Sequence, residues 1–222
     1  MQKYNKIVLF DIDHTLFNTE LFRKTLYKDL ANGLGLTDSE QLEVINNKYY
    51  ETKNIFGYFK PEDFLKAILK ISKSNINLKN LRAIFHENRS YHSFIFPDVK
   101  KTFLDLDKKN VQIGIFSTGE TAYQKIKIES LKNYLKENHV HIAPNKFKAI
   151  KDTFDIYKTY QTYLVDDFPQ ILEGAKNHNK NIFTIFIKRK ESLPSIVIPD
   201  NFKPDATITS LNQLASIIKA NN

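Results

Sequence analysis

Apolar residues along the 222-residue chain follow two rhythms. One is the short apolar run bounded by polar residues and turn formers, which suits a strand covered on both faces of a parallel sheet. It predicts strands at 6–10, 111–116, 139–143, 162–165, 182–187 and 206–209. The other is the three-to-four spacing of an amphipathic helix, which fills 98–110, 120–136, 147–160, 168–178 and 211–220. Strand and helix alternating from residue 97 onward predict right-handed β-α crossovers and an α/β fold with a Rossmann-like, doubly wound parallel sheet.

Between the first strand and residue 97 the strand rhythm stops. Asn18-Thr19 can cap a helix carrying Leu21, Phe22, Leu26 and Leu30, with Gly33 and Gly35 as stop signals. Thr37-x-x-Glu40 reads as a capping box for a second helix with Leu42, Ile45 and Tyr49 on one face. Pro61 opens a third with Phe64, Leu65, Ile68 and Leu69, and a fourth is expected over 78–88. Residues 17–96 therefore read as an all-helical subdomain inserted into an α/β core made of 1–16 and 97–222.

Candidate chemistry gathers where the strands end. The first strand runs straight into Asp11 and Asp13, at the carboxyl edge where open α/β sheets bind ligands. Two carboxylates that close repel one another, and an oxygen-loving divalent cation such as Mg2+ relieves the repulsion. Beside a cation and a phosphoryl group, one Asp can attack phosphorus while the other moves the proton. The plain alternative is a strand closed by an Asx-turn or helix cap.

Two more strands end in suitable groups. Ser117-Thr118-Gly119 follows the second strand and offers a hydroxyl and exposed N–H groups for a phosphate. Asp166-Asp167 follows Tyr163-Leu164-Val165, and adjacent buried acids are costly without a cation or hydrogen bonds. Lys146, Lys148 and Lys151, near the start of the 147–160 helix, could neutralise phosphoryl oxygens and a nucleophilic carboxylate, although for any single one of the three a solvated lysine is the better reading.

With these residues in place the chain resembles the haloacid dehalogenase-like hydrolase superfamily. The matching motifs are I-V-L-F-D-I-D-H-T-L, I-G-I-F-S-T-G, a lysine before the penultimate core helix, and Y-L-V-D-D, within a match running from Ile7 to Ile218. The resemblance implies that Asp11 is the nucleophile, Asp13 the general acid/base, and Ser117, with Thr118, the phosphoryl-binding turn. It implies Mg2+ on the Asp11 carboxylate, the Asp13 backbone carbonyl and Asp167, with Asp166 assisting through water. Lys148 is the expected phosphate-binding lysine, from the offsets of Ile150 and Phe154. Acid at position 13 points within the superfamily to phosphoryl transfer rather than dehalogenation, and the insertion resembles a cap whose side chains around Tyr49, Tyr50, Phe56 and Tyr58 would set specificity. His14, in the turn after the strand, is expected to be structural.

Composition narrows the rest. No cysteine is present, which excludes thiol catalysis, cysteine-bound metal and disulfides. No apolar run reaches membrane-spanning length and the polar start M-Q-K-Y-N-K does not read as a signal peptide, so a cytoplasmic protein without a membrane partner is expected. The net charge of +8 comes mostly from lysines dispersed along the chain, with four arginines among 33 basic residues, which speaks against a nucleic-acid partner and for anionic small molecules. The expected function is a Mg2+-dependent phosphomonoester hydrolase acting on a small phosphorylated metabolite, as a monomer or weak homodimer. The rivals are a phosphomutase-like phosphotransferase on a sugar phosphate and a non-catalytic nucleic-acid-binding module.

Overall fold

The computed structural model describes residues 5–36, 39–87, 90–190 and 202–220. Among these the sheet has six parallel strands in the order β3-β2-β1-β4-β5-β6, formed by β1 (Lys6–Phe10), β2 (Gln112–Thr118), β3 (Val140–Ala143), β4 (Gln161–Asp166), β5 (Phe183–Ile187) and β6 (Ala206–Ile208). The first strand is central, and its register sets the site. Phe10 lies beside Ile115 on one side and Val165 on the other, so the next residues of β1, β2 and β4 emerge along one edge.

The apolar run 7–10 is buried on both faces, as its lack of alternation predicts. Ile7 and Leu9 pack with Phe116, Phe154, Leu164 and Leu172 on one face. Val8 and Phe10 join Phe103, Ile113, Ile115 and Tyr163 on the other. Truncating Phe10 in such a core would cost about 3–5 kcal/mol. Gly114 is required by close packing, because a Cβ there would lie 2.6 Å from Leu9 Cδ2 and 2.7 Å from the His139 carbonyl oxygen.

The inserted segment is helical: α1 (Thr19–Gly33), α2 (Ser39–Phe56), α3 (Pro61–Leu69), α4 (Leu78–Arg82), a π turn (Ala83–Glu87) and a 3-10 turn (Tyr91–Phe94). The predicted Asn18 cap forms, its side chain accepting from Leu21 N–H at 3.0 Å. Leu21 itself points outward, whereas Phe22, Leu26 and Leu30 are buried. The Thr37–Glu40 capping box and the side chains of Leu42 and Phe56 lie outside the described residues.

After the insertion come α5 (Asp98–Asp107), α6 (Thr121–Ile128), α7 (Lys146–Asp155), α8 (Pro169–His178) and α9 (Leu214–Ala220). Two helices are shorter than their patterns predict. The 120–136 segment passes from α6 into a 3-10 turn at Glu129–Tyr134, and α7 ends at Asp155, with its N-cap at Asn145 accepting from Lys148 N–H at 3.1 Å.

The two connections to the insertion are paired with each other. Phe96 N–H donates to the Leu16 carbonyl at 2.9 Å and Asn18 N–H to the Phe94 carbonyl at 2.7 Å. Arg189, just beyond β5, clasps this junction: its guanidinium donates to the Thr15 carbonyl at 2.7 Å, pairs with Asp98 at 2.6 Å and stacks 4.1 Å from the Phe96 ring. On the far side, Tyr123 of α6 docks against Phe59 and Phe85 of the insertion, with ring centroids 5.6 and 5.7 Å apart. No described helix is long and apolar enough to cross a membrane.

Candidate active site

The strand ends converge as the register requires. Asp11 follows β1 and its N–H donates to the Val165 carbonyl at 3.0 Å, which sets it against the end of β4 and hence against Asp166 and Asp167. One carboxylate oxygen from each of Asp11, Asp166 and Asp167 lies within 4.8 Å of the others, and all three residues are buried. They form part of the wall of a cavity of about 730 Å3 between the carboxyl edge of the sheet and the insertion, together with Asp13, Ser117, Thr118, Lys146 and Lys148.

Among the described residues, the lysine that reaches this acidic cluster is Lys146. Its Nζ lies 2.6 Å from Asp11 Oδ1 and also pairs with Asp166 Oδ2. The offsets that favour Lys148 in the sequence thus differ from the structure, where Lys146 meets Asp11 and Asp166. As N1 of α7, Lys146 starts at the sheet edge and is buried, whereas Lys148 is exposed at the cavity wall and Lys151 pairs with Asp155 on the outer surface. Offsets to Ile150 and Phe154 locate the helix but not which of its first-turn side chains faces the sheet.

The charge balance of this cluster is unequal. Burial opposes the Lys146 ammonium, yet Asp11 and Asp166 hold its pKa above the ordinary lysine range. For Asp166 and Asp167, burial and then the neighbouring carboxylates push both carboxyls well above the usual range. Asp166 Oδ1 accepts from Phe168 N–H at 2.9 Å, but Asp167 has no hydrogen-bond donor on its carboxylate among the described residues. Three buried carboxylates facing one ammonium leave excess negative charge, and hard oxygen donors at this spacing fit a divalent cation.

Asp13 is set apart. Thr19 Oγ1 donates to it at 2.5 Å, Gln124 Nε2 at 2.9 Å, and Lys127 Nζ lies 2.7 and 2.9 Å from its two oxygens. Burial opposes the charged form, but Lys127 and these hydrogen bonds outweigh it and hold the carboxyl far below its ordinary range. Lys127 is itself buried, its ammonium 4.4 Å from the Tyr123 ring centroid.

Ser117 is buried at the end of β2, with Gln124 Nε2 3.5 Å from its hydroxyl; the same amide donates to the Thr118 carbonyl at 2.6 Å. Gly119 takes a φ of 148°, and a Cβ there would meet Gln124 at 2.8 Å. His14 adopts a left-handed φ of 58° in the turn, with its ring 4.0 Å from Glu20 at the cavity wall. Tyr49 and Tyr58 also line the cavity.

The family model for haloacid dehalogenase-like hydrolases matches residues 8–142. The chain belongs to this family. A glyceraldehyde 3-phosphate phosphatase of Methanothermobacter thermautotrophicus is 33% identical over an alignment 136 residues long, which covers 54% of this chain and 54% of that protein. The chain thus aligns with about half the length of that relative. Among solved structures, a Burkholderia xenovorans LB400 protein described as a haloacid dehalogenase-like hydrolase shares 19% identity at a TM-score of 0.77, covering 96% of this chain and 98% of its own. A HAD phosphatase from Thermococcus onnurineus shares 24% identity at a TM-score of 0.58, covering 96% and 97%. These two similarities extend the shared fold across the insertion as well as the core.

Proposed function

We propose that the protein is a phosphomonoester hydrolase that works through a phospho-aspartate at Asp11 and uses Mg2+. The observation carrying this reading is the meeting of Asp11, Asp166, Asp167 and Lys146 on one cavity floor beside Ser117. The phosphatase name of the partly aligned relative supports it. Asp11, Asp166, Asp167 and the Asp13 backbone carbonyl would hold the cation, which neutralises charge on the phosphoryl oxygens when bound.

In this scheme Asp11 attacks phosphorus and the ester oxygen leaves, taking a proton from Asp13. Water then attacks the acyl phosphate, gives its proton to Asp13, and releases phosphate and free Asp11. Lys146 steadies Asp11 before attack and the phosphoryl oxygens after it, and Ser117 with Thr118 orients them. The seat of Asp13 bears on the order of events. Held ionised by Lys127, it is ready to act as base toward water, while acting as acid requires that it leave this ion pair.

Residues 17–96 serve in this reading as a cap over the site, reading the leaving group and excluding water. The test is phosphate release from a panel of phosphate esters with and without Mg2+. Metal-dependent release that vanishes in Asp11→Asn is expected. Isomerised sugar phosphate in place of free phosphate would assign a mutase instead.

A further inference from the structure

The cavity floor is charged, but the wall above it is aromatic. Phe147 and Phe168 directly follow two buried floor residues, Lys146 and Asp167, yet remain 49% and 43% exposed. Their rings meet nearly edge-to-face, with centroids 6.3 Å apart and planes at 77°, and both line the cavity. Scattered exposed apolar side chains are ordinary; two touching rings beside a charged reaction floor form a binding surface. The insertion adds Tyr49 and Tyr58 to the same cavity. Lys53 and Lys148 line it too, exposed and without an ion pair among the described residues.

We infer that the cavity takes phosphate monoesters whose leaving group ends in a planar aromatic ring, with Phe147 and Phe168 as the platform for that ring. This inference rests on the phosphatase reading and names the substrate class. The phosphorus must lie at the buried floor, and the two phenyl rings lie at the exposed rim. A spacer must therefore separate the ester oxygen from the ring, as the ribose does in a nucleoside 5′-monophosphate. A cavity of about 730 Å3 has room for such a molecule, whereas a triose phosphate would leave both rings in water. An aromatic ring gains on this surface by offset or edge contact with the phenyl groups, and the unpaired lysines favour its π face and its carbonyl oxygens.

The experiment measures kcat/KM for phosphate release from uridine 5′-monophosphate and from glyceraldehyde 3-phosphate. The proteins are the full chain, the F147A/F168A double variant and the F147L/F168L double variant, which keeps apolar volume without a ring. Thermal melts follow all three, and the half-exposed positions predict little change. The native chain should favour the nucleotide by about ten-fold or more, the scale of one base–aromatic stack, and both double variants should lose most of that preference. Equal or better turnover of the triose phosphate, or a preference unmoved in the variants, overturns the inference and leaves the phosphatase reading standing. Absence of phosphate release from every ester overturns both.

Discussion

Two acidic sites sit a residue apart in sequence and are treated in opposite ways. At the Asp11, Asp166 and Asp167 cluster, one ammonium faces three carboxylates, and Asp167 has no donor among the described residues. At Asp13, one carboxylate meets one ammonium, a hydroxyl and an amide, and its charge is fully compensated. Burial disfavours charge at both sites, more at the buried Asp166 and Asp167 than at the half-buried Asp13, and the partners widen the difference. In the proposed reaction the uncompensated cluster would hold the cation that meets the phosphoryl group. The compensated residue, Asp13, is the proton carrier in that proposal.

The first way to break this contrast is Asp11→Asn. Removing the proposed nucleophile should lower kcat by about three orders of magnitude or more, with the melting temperature little changed. Next is the lysine pair. Lys146→Met should lower kcat/KM by about 10²–10³-fold, the scale for losing one preorganised electrostatic partner, while Lys148→Met should stay within a few-fold. Comparable losses in both would remove the distinction between buried and exposed lysine.

Lys127→Met probes the compensated side. Asp13 should lose its seat, and kcat should fall by about ten-fold through slower breakdown of the phosphoenzyme, seen as a higher steady-state level of it. A rise in KM alone would place Lys127 in substrate binding.

The smallest effect is on stability. Because Asp166 and Asp167 have raised carboxyl pKa values, the folded metal-free protein binds protons that the unfolded chain does not, so this pair lowers stability as pH rises. A cation competes with those protons. The Mg2+-induced rise in melting temperature should therefore grow from about pH 5 to about pH 8, and a shift that shrinks over that range would contradict the raised values.

Much of this was legible in the chain itself. The unbroken apolar run 7–10 marks a strand buried on both faces, and the polar residues after three such runs mark the edge where the site forms. What pattern could not provide was side-chain direction at helix starts. Lys146, Lys148 and Lys151 are alike in sequence, and only the position of α7 against the sheet separates them. The seat of Asp13 is hidden in the sequence for a related reason. Gln124 and Lys127, three apart on α6, form a polar stripe that reads as a solvated face until the helix is placed beside β1. Thr19 reads in the sequence as part of a helix start, which it is, and its hydroxyl also serves Asp13. Arg189 is more than 170 residues from Thr15 in sequence, and no local pattern could pair them.

The most direct test of the account is rapid quench of Asp13→Asn with a labelled substrate ester, followed by peptide mapping. Label should be trapped on the peptide containing Asp11, be released by hydroxylamine as an acyl phosphate, and be absent when Asp11→Asn is added. Label elsewhere, or phosphate release with no labelled protein at any time point, would contradict it.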